Sequence, residues 1–308
     1  MNTTFLNDVI LGLSKTPKEL SSKYFYDDKG DKIFQEIMQL EEYYLPKCEM
    51  EILLNQTENI ANSLVFEQID VIGLGSGDGS KTKHFLKKII DLGKKAVYYP
   101  LDISEDVLKT NKKNVTEFIP DLEVYPIAGD YFETLDKLVH DNPKIILFLG
   151  STIGNYDHES AVVFMKQIYK MMNEKDVLMV SFDLKKNPHK VLAAYNDKNG
   201  ITKRFNINLL ERINRELKAD FDLENFDHYP NYDPISGTCF SYIFSKKNQN
   251  VTINGKQFSF NNNELIHTEI SQKYSLENIE EFQEIIGFNS VEHFLDSGEN
   301  YSISLFKK

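Results

Sequence analysis

Four glycines alternate with other residues in the segment Val71–Thr82, which reads VIGLGSGDGSKT. The segment follows a short apolar run and precedes a helical pattern, which predicts the first turn of a strand–helix unit. Glycine at such a turn lets the backbone approach a ligand closely, and the helix N-terminus supplies free N–H donors. The spacing fits neither G-x-G-x-x-G nor G-x-x-x-x-G-K-[ST], so a dinucleotide site is disfavoured and a phosphate-cradling loop is excluded. We expect Gly75, Ser76 and Gly77 to contact a nucleotide-like ligand.

Carboxylates follow the next two predicted strands. Asp102 ends the second strand, where a carboxylate can accept both hydroxyls of a ribose. Asp130 and Tyr131 follow the third strand, where the carboxylate can accept from an adenine amino group and the ring can lie against the base. Each carboxylate alone could equally be a helix N-cap. Together with the glycine turn they indicate an adenosine-bearing ligand that needs no pyrophosphate contact. S-adenosylmethionine fits this description, and NAD is the alternative.

Short apolar runs alternate with helical patterns through the middle of the chain. The predicted strands are Asp70–Leu74, Ala96–Leu101, Leu122–Ile127, Lys144–Leu149 and Val177–Asp183. The predicted helices are Ser80–Leu92, Ser104–Phe118, Tyr131–His140 and His158–Met172. This alternation predicts right-handed crossovers and a parallel sheet that is buried on both faces.

The alternation ends after Asp183. The later predicted elements are a helix over Thr202–Leu217, a strand-rich stretch over His228–Ser259, a helix over Leu276–Ile286, and two strands, Ser290–Leu295 and Tyr301–Phe306. The last two strands predict a hairpin. We therefore expect a doubly wound α/β sheet, formed by residues 61–190 and 275–308, that ends in an antiparallel hairpin. Residues 1–60 and an insertion over residues 191–274 are expected to form a second lobe over the carboxyl edge of the sheet.

The bulk composition limits the classes of partner. The formal net charge is -12, which disfavours nucleic acid or an anionic membrane as the main partner. The longest apolar runs are too short to span a bilayer, and the two cysteines suggest neither a disulfide framework nor a zinc site. We expect a cytoplasmic monomer that needs no metal and acts on a small molecule.

Four segments resemble the L-histidine Nα-methyltransferases of ergothioneine biosynthesis. They are Lys23–Gly30 (KYFYDDKG), Leu40–Tyr44 (LEEYY), Phe148–Asn155 (FLGSTIGN) and Thr268–Ser271 (TEIS). The resemblance runs in order over nearly the whole chain, and the segment FLGSTIGN is its most specific part. It implies a class I, Rossmann-like methyltransferase domain with a substrate-binding lobe. It also implies three successive methyl transfers from S-adenosylmethionine to the α-amine of histidine, which give hercynine and S-adenosylhomocysteine.

The resemblance also implies residue roles. The cofactor positions fall on Gly75, Lys81, Asp102, Asp130 and Tyr131.

For the substrate, the family pattern implies that Asn155 and Tyr195 hold the carboxylate and the amine. Tyr43 is implied to lie near the reacting end, and Tyr26 near the amine. Asn155 offers both a donor and an acceptor, which suits that task.

Glu269 and Ser271 are implied to bind the imidazole, and Thr202 and Phe205 match family pocket positions. Glu269 can accept the imidazole N–H, and alternation along a strand places Ser271 on the same face.

Ser241, in the segment TCFSYIF, is a departure from the family pattern. It stands where the histidine-specific enzymes carry a methionine, as we align them. Losing a flexible apolar partner would loosen the ring pocket. The alternatives for the substrate are therefore a different amino acid or a modified histidine. A nicotinamide-dependent oxidoreductase is the further alternative, because NAD is the other ligand considered for the glycine turn and the two carboxylates.

Overall fold

A computed structural model describes residues 3–64, 66–135 and 142–308. The chain forms two compact units, each built from two separate stretches. The first unit contains residues 1–44 and 186–271, and the second contains residues 45–185 and 272–308. Each unit has its own apolar core.

The second unit is organised around an eight-stranded sheet. Its strands are β2 (Gln68–Leu74), β3 (Lys95–Asp102), β4 (Glu123–Val124), β5 (Ile127–Ala128), β6 (Lys144–Phe148), β7 (Val177–Asp183), β13 (Ser290–Leu295) and β14 (Tyr301–Lys307). The order is β13-β14-β7-β6-β2-β3-β4, and β5 also pairs with β3. The strands β2 to β7 run parallel, whereas β14 pairs antiparallel with both β7 and β13. The predicted doubly wound sheet with a terminal hairpin is confirmed.

Seven α-helices within the described residues belong to this unit. They are α3 (Leu45–Asn55), α4 (Thr57–Asn62), α5 (Thr82–Asp91), α6 (Glu105–Phe118), α7 (Tyr131–Leu135), α8 (His158–Met171) and α11 (Leu276–Ile286). The strands β6 and β7 are buried at every position, as expected for parallel strands covered on both faces. The predicted helix Tyr131–His140 is described as far as Leu135, and residues 136–140 lie outside the described residues.

The predicted third strand, Leu122–Ile127, is two separate two-residue strands. Residues 123–124 form β4 and residues 127–128 form β5. Pro126 stands between them, and its ring nitrogen has no hydrogen to donate to the ladder. The break leaves Asp130 two residues after β5, still at the carboxyl end of the neighbouring strand β3.

The first unit contains a four-stranded sheet in the order β1-β12-β9-β8, together with the hairpin β10-β11. Its strands are β1 (Lys18–Glu19), β8 (Phe226–Asp233), β9 (Thr238–Ser245), β10 (Gln249–Ile253), β11 (Lys256–Phe260) and β12 (Leu265–Gln272). Its helices are α1 (Thr3–Leu13), α2 (Asp28–Met38), α9 (Pro188–Tyr195) and α10 (Ile201–Leu217). The core combines apolar residues of α1, α2 and α10 with those of the strands, and it is separate from the core of the other unit.

The boundaries of the units differ from the predicted lobes at residues 45–60, 186–190 and 272–274. Residues 45–60 belong to the sheet-containing unit, whereas the sequence analysis groups them with the second lobe. Polar contacts tie residues 45–60 to this unit: Glu49 of α3 binds Lys81 and accepts from the hydroxyl of Tyr301 on β14. None of the helices within the described residues has the length and apolar character needed to cross a membrane.

Candidate functional site

The glycine turn between β2 and α5 adopts backbone angles that favour glycine. Gly75 and Gly77 have φ of 60° and 54°, in the left-handed region that a residue with a Cβ seldom adopts. The Asn111 side chain of α6 donates to the carbonyl of Gly77 at 2.9 Å and holds the turn in place. Asn111 is fully buried. It shares the buried face of α6 with Leu108 and Val115. The sequence analysis missed Asn111, although a polar residue at an apolar position of a helix is a signal for a buried hydrogen-bonding role.

Asp102 lies at the end of β3 beside this turn. One carboxylate oxygen accepts from the backbone N–H of Gly77 at 3.2 Å, and the other accepts from the N–H of Ser104 at 3.1 Å. Each carboxylate oxygen has two lone pairs, so both oxygens keep an acceptor site after these bonds. Asp102 is thus oriented by the turn and can still bind two hydroxyls of a ligand.

Tyr131 covers the glycine turn. A Cβ built on Gly75 would lie 2.7 Å from the Tyr131 hydroxyl, which explains why this position has no side chain. Burial and the nearby Asp102 carboxylate raise the pKa of Tyr131 to about 12, so the phenol stays neutral. Asp130 is exposed and accepts from the N–H of Phe132 at 2.9 Å, so it caps α7. The cap and the predicted ligand contact are compatible, because one carboxylate carries several acceptor sites.

Lys81, the remaining predicted cofactor residue, binds a carboxylate that the sequence analysis did not single out. Its ammonium forms an ion pair with Glu49, whose side chain is 1% exposed. Burial opposes ionisation of Glu49, but the Lys81 charge and the N–H of Gly150 hold the pKa of this carboxyl below its ordinary value. Glu49 is therefore a buried carboxylate directly behind the glycine turn.

Asn155 is exposed at the end of a short 3-10 helix, Thr152–Asn155, that follows β6. The turn leading to it is fixed at several points. Ser151 has φ of 55°, its N–H donates to the Ser181 hydroxyl at 2.9 Å, and its hydroxyl accepts from the N–H of Asp183 at 3.1 Å. A Cβ on Gly154 would lie 2.9 Å from the carbonyl oxygen of Gln272, so only glycine fits there. The segment FLGSTIGN thus forms a rigid turn that presents Asn155.

Aromatic rings bring together three of the predicted substrate residues in the first unit. Tyr43 packs edge to face against Tyr195 at 6.3 Å and against Phe34 at 6.4 Å, measured between ring centroids. Tyr26 packs in the same manner against Phe34 at 5.6 Å and against Phe205 at 5.7 Å. We call Tyr26, Phe34, Tyr43, Tyr195 and Phe205 the aromatic group.

Polar residues of β12 border the aromatic group. The Tyr195 and Ser271 hydroxyls are 2.8 Å apart. Loss of hydration and the nearby Glu269 carboxylate raise the pKa of Tyr26 well above its ordinary value. Glu269 and Ser271 therefore lie beside the same aromatic group.

Ser241 is buried and lies in a different set of contacts. Its hydroxyl is 3.4 Å from Nε2 of His228, and its carbonyl accepts from the hydroxyl of Thr268 at 3.0 Å. Thr202 is buried in the first turn of α10, where its N–H donates to Asp197 at 2.7 Å. The residue missing from the sequence analysis here is His228, the partner of Ser241.

We expect His228 to make the protein less stable in mild acid. Burial lowers its pKa to about 4 from 6.5, although Asp227 and Asp197 oppose this shift. Between pH 6.5 and 4 the unfolded chain thus binds a proton that the folded chain does not. The free energy of unfolding must fall as the pH drops through this window, by about 3 kcal/mol in total. Urea unfolding at pH 7 and pH 4.5 should show a smaller loss for His228→Gln than for the wild type, and equal losses would contradict the assignment.

The comparisons with known proteins cover nearly the whole chain. The model of a family described as histidine-specific, SAM-dependent methyltransferases matches residues 5–308. The chain is 30% identical over 303 residues to the histidine N-alpha-methyltransferase of Mycobacterium tuberculosis (strain CDC 1551 / Oshkosh), covering 98% of this chain and 94% of that protein. It is 30% identical over 300 residues to the enzyme of the same name from Mycolicibacterium smegmatis, covering 97% and 93%.

A longer relative also matches most of this chain. Ergothioneine biosynthesis protein 1 of Schizosaccharomyces pombe is 31% identical over 300 residues, which are 94% of this chain and 39% of that protein.

Proposed function

The chain belongs to the histidine-specific, S-adenosylmethionine-dependent methyltransferase family, and from that premise we propose that it transfers three methyl groups to the α-amine of free L-histidine. The product is hercynine. The observation that carries the proposal is the position of Glu269 and Ser271 beside the aromatic group, where Ser271 lies 2.8 Å from the Tyr195 hydroxyl. A carboxylate and a hydroxyl can bind the two ring nitrogens of one imidazole.

The first turn of the sheet suits the cofactor. Asp102 keeps acceptor sites for the two ribose hydroxyls after binding the N–H groups of Gly77 and Ser104. A Cβ on Gly77 would meet nothing within 4 Å, so the backbone there is open to a ligand. S-adenosylmethionine, when bound, supplies a methyl group activated by the sulfonium. We propose Gly75, Ser76, Gly77, Lys81, Asp102, Asp130 and Tyr131 as the residues that hold it.

The α-amine and the carboxylate of the substrate need groups that can both donate and accept. We propose Asn155 and Tyr195 for this task, with Tyr43 next to the reacting nitrogen. Asn155 is exposed at the end of a rigid turn, so the position of its backbone is fixed before the substrate binds. Such preorganisation lowers the cost of orienting the amine for in-line attack.

The amine loses one proton for each methyl that it gains, because each transfer begins from an ammonium and ends in one. Tyr26 does not serve as an anionic base, since its raised pKa keeps the phenol neutral at physiological pH. We propose that Tyr26 orients the amine by hydrogen bonding and that water carries the proton away. Bases of modest strength suffice for an amine whose proton exchanges with solvent.

The remaining proposals concern partners and location. We propose a monomer that acts in the cytoplasm on a free amino acid, with neither nucleic acid nor membrane as a partner. The formal net charge of -12 supports the part of this proposal that concerns nucleic acid and anionic membranes, because it repels polyanions.

A panel of amino acids tests the proposed function. The full chain is incubated with S-adenosylmethionine and each of the 20 common amino acids, and products are followed by mass. We expect additions of one, two and three methyl groups on histidine alone. Glu269 and Ser271 would be left unmatched by a side chain without imidazole, and such a loss gives strong discrimination.

Sulfur-modified histidine is added as a further substrate, because Ser241 occupies the position of a family methionine. Turnover of this compound at a kcat/KM above that of histidine would overturn the choice of substrate and leave the methyltransferase class intact. Turnover of tryptophan or another amine without turnover of histidine would do the same.

A further inference from the structure

Glu49 is buried in the sheet-containing unit and has partners on two sides. One of its carboxylate oxygens accepts from the N–H of Gly150 at 2.6 Å and from the Tyr301 hydroxyl at 2.9 Å. The other oxygen binds the ammonium of Lys81. The Tyr301 hydroxyl also lies 3.0 Å from the hydroxyl of Ser181. Every one of these residues belongs to the same compact unit.

The partners of the two carboxylate oxygens belong to the two proposed ligand sites. Lys81 precedes α5 at the end of the glycine turn and is 31% exposed, so its stem and charge reach the surface of that turn. Gly150 begins the turn that ends at Asn155, and Ser181 binds the N–H of the next residue, Ser151, at 2.9 Å. A displacement of the Glu49 carboxylate would therefore change the positions of both the glycine turn and the turn that ends at Asn155.

We propose that Glu49 is a positioning residue for methyl transfer: its carboxylate fixes the cofactor lysine Lys81 and, at the same time, the turn that presents Asn155. The inference rests on the proposed function, because it takes Lys81 as a cofactor residue and Asn155 as a substrate residue. Glu49 itself touches neither ligand in this scheme. Its negative charge determines the position of the Lys81 ammonium, and its hydrogen bonds determine the position of Gly150.

The physical basis is the cost of a buried charge. A buried carboxylate is stable only while ion pairs and hydrogen bonds compensate for lost hydration, so its partners are held tightly. The same low-dielectric surroundings strengthen the attraction to Lys81. Residues that orient the direct ligand contacts of a site in this way affect binding although they lie behind it.

Glu49→Gln is the direct test, because glutamine keeps the size of the side chain and removes its charge. Titration of the full chain with S-adenosylhomocysteine should give a Kd about tenfold above that of the wild type, as expected when one charge-assisted contact loses its geometry. In steady state, the KM for S-adenosylmethionine should rise together with the KM for histidine. The titration requires no turnover. Its failure is therefore distinct from failure of the proposed function, which depends on turnover of histidine by the wild type.

Asp176→Asn is the matched control. Asp176 is also 1% exposed, pairs with Lys144 at 2.9 Å, and accepts backbone N–H groups from Lys144 and Asn173. It lies at the amino end of β7, at the edge of the sheet opposite the glycine turn. The control should lose thermal stability like Glu49→Gln and keep its Kd for S-adenosylhomocysteine within about twofold of the wild type. Equal Kd values for both variants and the wild type would overturn the proposal, as would equal increases in both variants.

A double-mutant cycle tests the route through the lysine. If Glu49 acts on the cofactor through Lys81, Glu49→Gln should add less than about twofold to the Kd of a Lys81→Met variant. Independent, multiplicative effects would contradict this route. Where Glu49→Gln does not fold, Tyr301→Phe replaces it, because it removes one hydrogen bond from the same carboxylate and leaves the ion pair. Tyr301→Phe should raise the KM for histidine, and an unchanged KM would overturn the link to the Asn155 turn.

Discussion

Glu269→Ala is expected to lower kcat/KM for histidine by about 100-fold, because a hydrogen bond to a charged group contributes roughly 1.5–3 kcal/mol and each 1.4 kcal/mol corresponds to a factor of ten. The effect should appear mainly in KM, since the imidazole is bound equally in the ground state and in the transition state. The Kd for S-adenosylhomocysteine should not change, because the glycine turn and Asp102 are unaltered. Steady-state kinetics and calorimetric titration measure the two quantities.

Glu264→Gln is the control for that variant. Glu264 directly precedes β12, the strand that carries Glu269, and it pairs with Lys18 away from the aromatic group. It should leave kcat/KM for histidine unchanged. Full activity of Glu269→Ala on histidine would mean that imidazole recognition has been assigned to the wrong residue. If Glu264→Gln lowered kcat/KM for histidine equally, both carboxylates would affect activity by stabilising β12 and not by binding the imidazole.

Asp102→Ala is expected to weaken binding of S-adenosylhomocysteine by about 100-fold. The substitution removes the acceptor for the N–H groups of Gly77 and Ser104 as well as the proposed ribose contact. Hydrogen bonds to a charged group are among the stronger ones. Loss of the contacts to the two ribose hydroxyls, at about 1.4 kcal/mol each, gives this factor. Titration of the full chain with S-adenosylhomocysteine measures it directly.

Asp106→Asn provides the comparison for Asp102→Ala. Asp106 lies in the first turn of α6, four residues further along the chain, and pairs with Lys109 at the surface. This variant should bind S-adenosylhomocysteine as the wild type does. Wild-type affinity in Asp102→Ala would remove Asp102 from the proposed cofactor site.

The sequence predicts the parts of the fold whose signals are local. The strand Val177–Asp183, the helix Leu276–Ile286 and the strand Ser290–Leu295 have the predicted bounds. The first of these is a continuously apolar run, and the second is an amphipathic helix that begins at a serine cap and ends at a glycine. The α9 helix, Pro188–Tyr195, was not predicted, because it is short and begins at a proline that also fits a loop.

The residues of the candidate site that belong to a sequence motif can be predicted from the sequence. The glycine turn and Asp102 follow from their place after successive strands, and Asn155 from a specific segment. Glu49 could not be found in this way, because the helix sequence LPKCEMEILLN does not distinguish it from Glu51. Its partners Gly150 and Tyr301 are 101 and 252 residues away. Only the tertiary structure brings such groups together.

The first unit is assembled from two stretches, residues 1–44 and 186–271, that are separated by roughly 140 residues. During synthesis, at about 5–20 residues per second, its N-terminal part must wait on the order of ten seconds for the rest of its core. In that interval Phe5, Val9 and Phe25, which are buried in the finished unit, have no partners from α10 to cover them. We expect the nascent chain to engage chaperones until α10 leaves the ribosome, and the sheet-containing unit to wait similarly for β14.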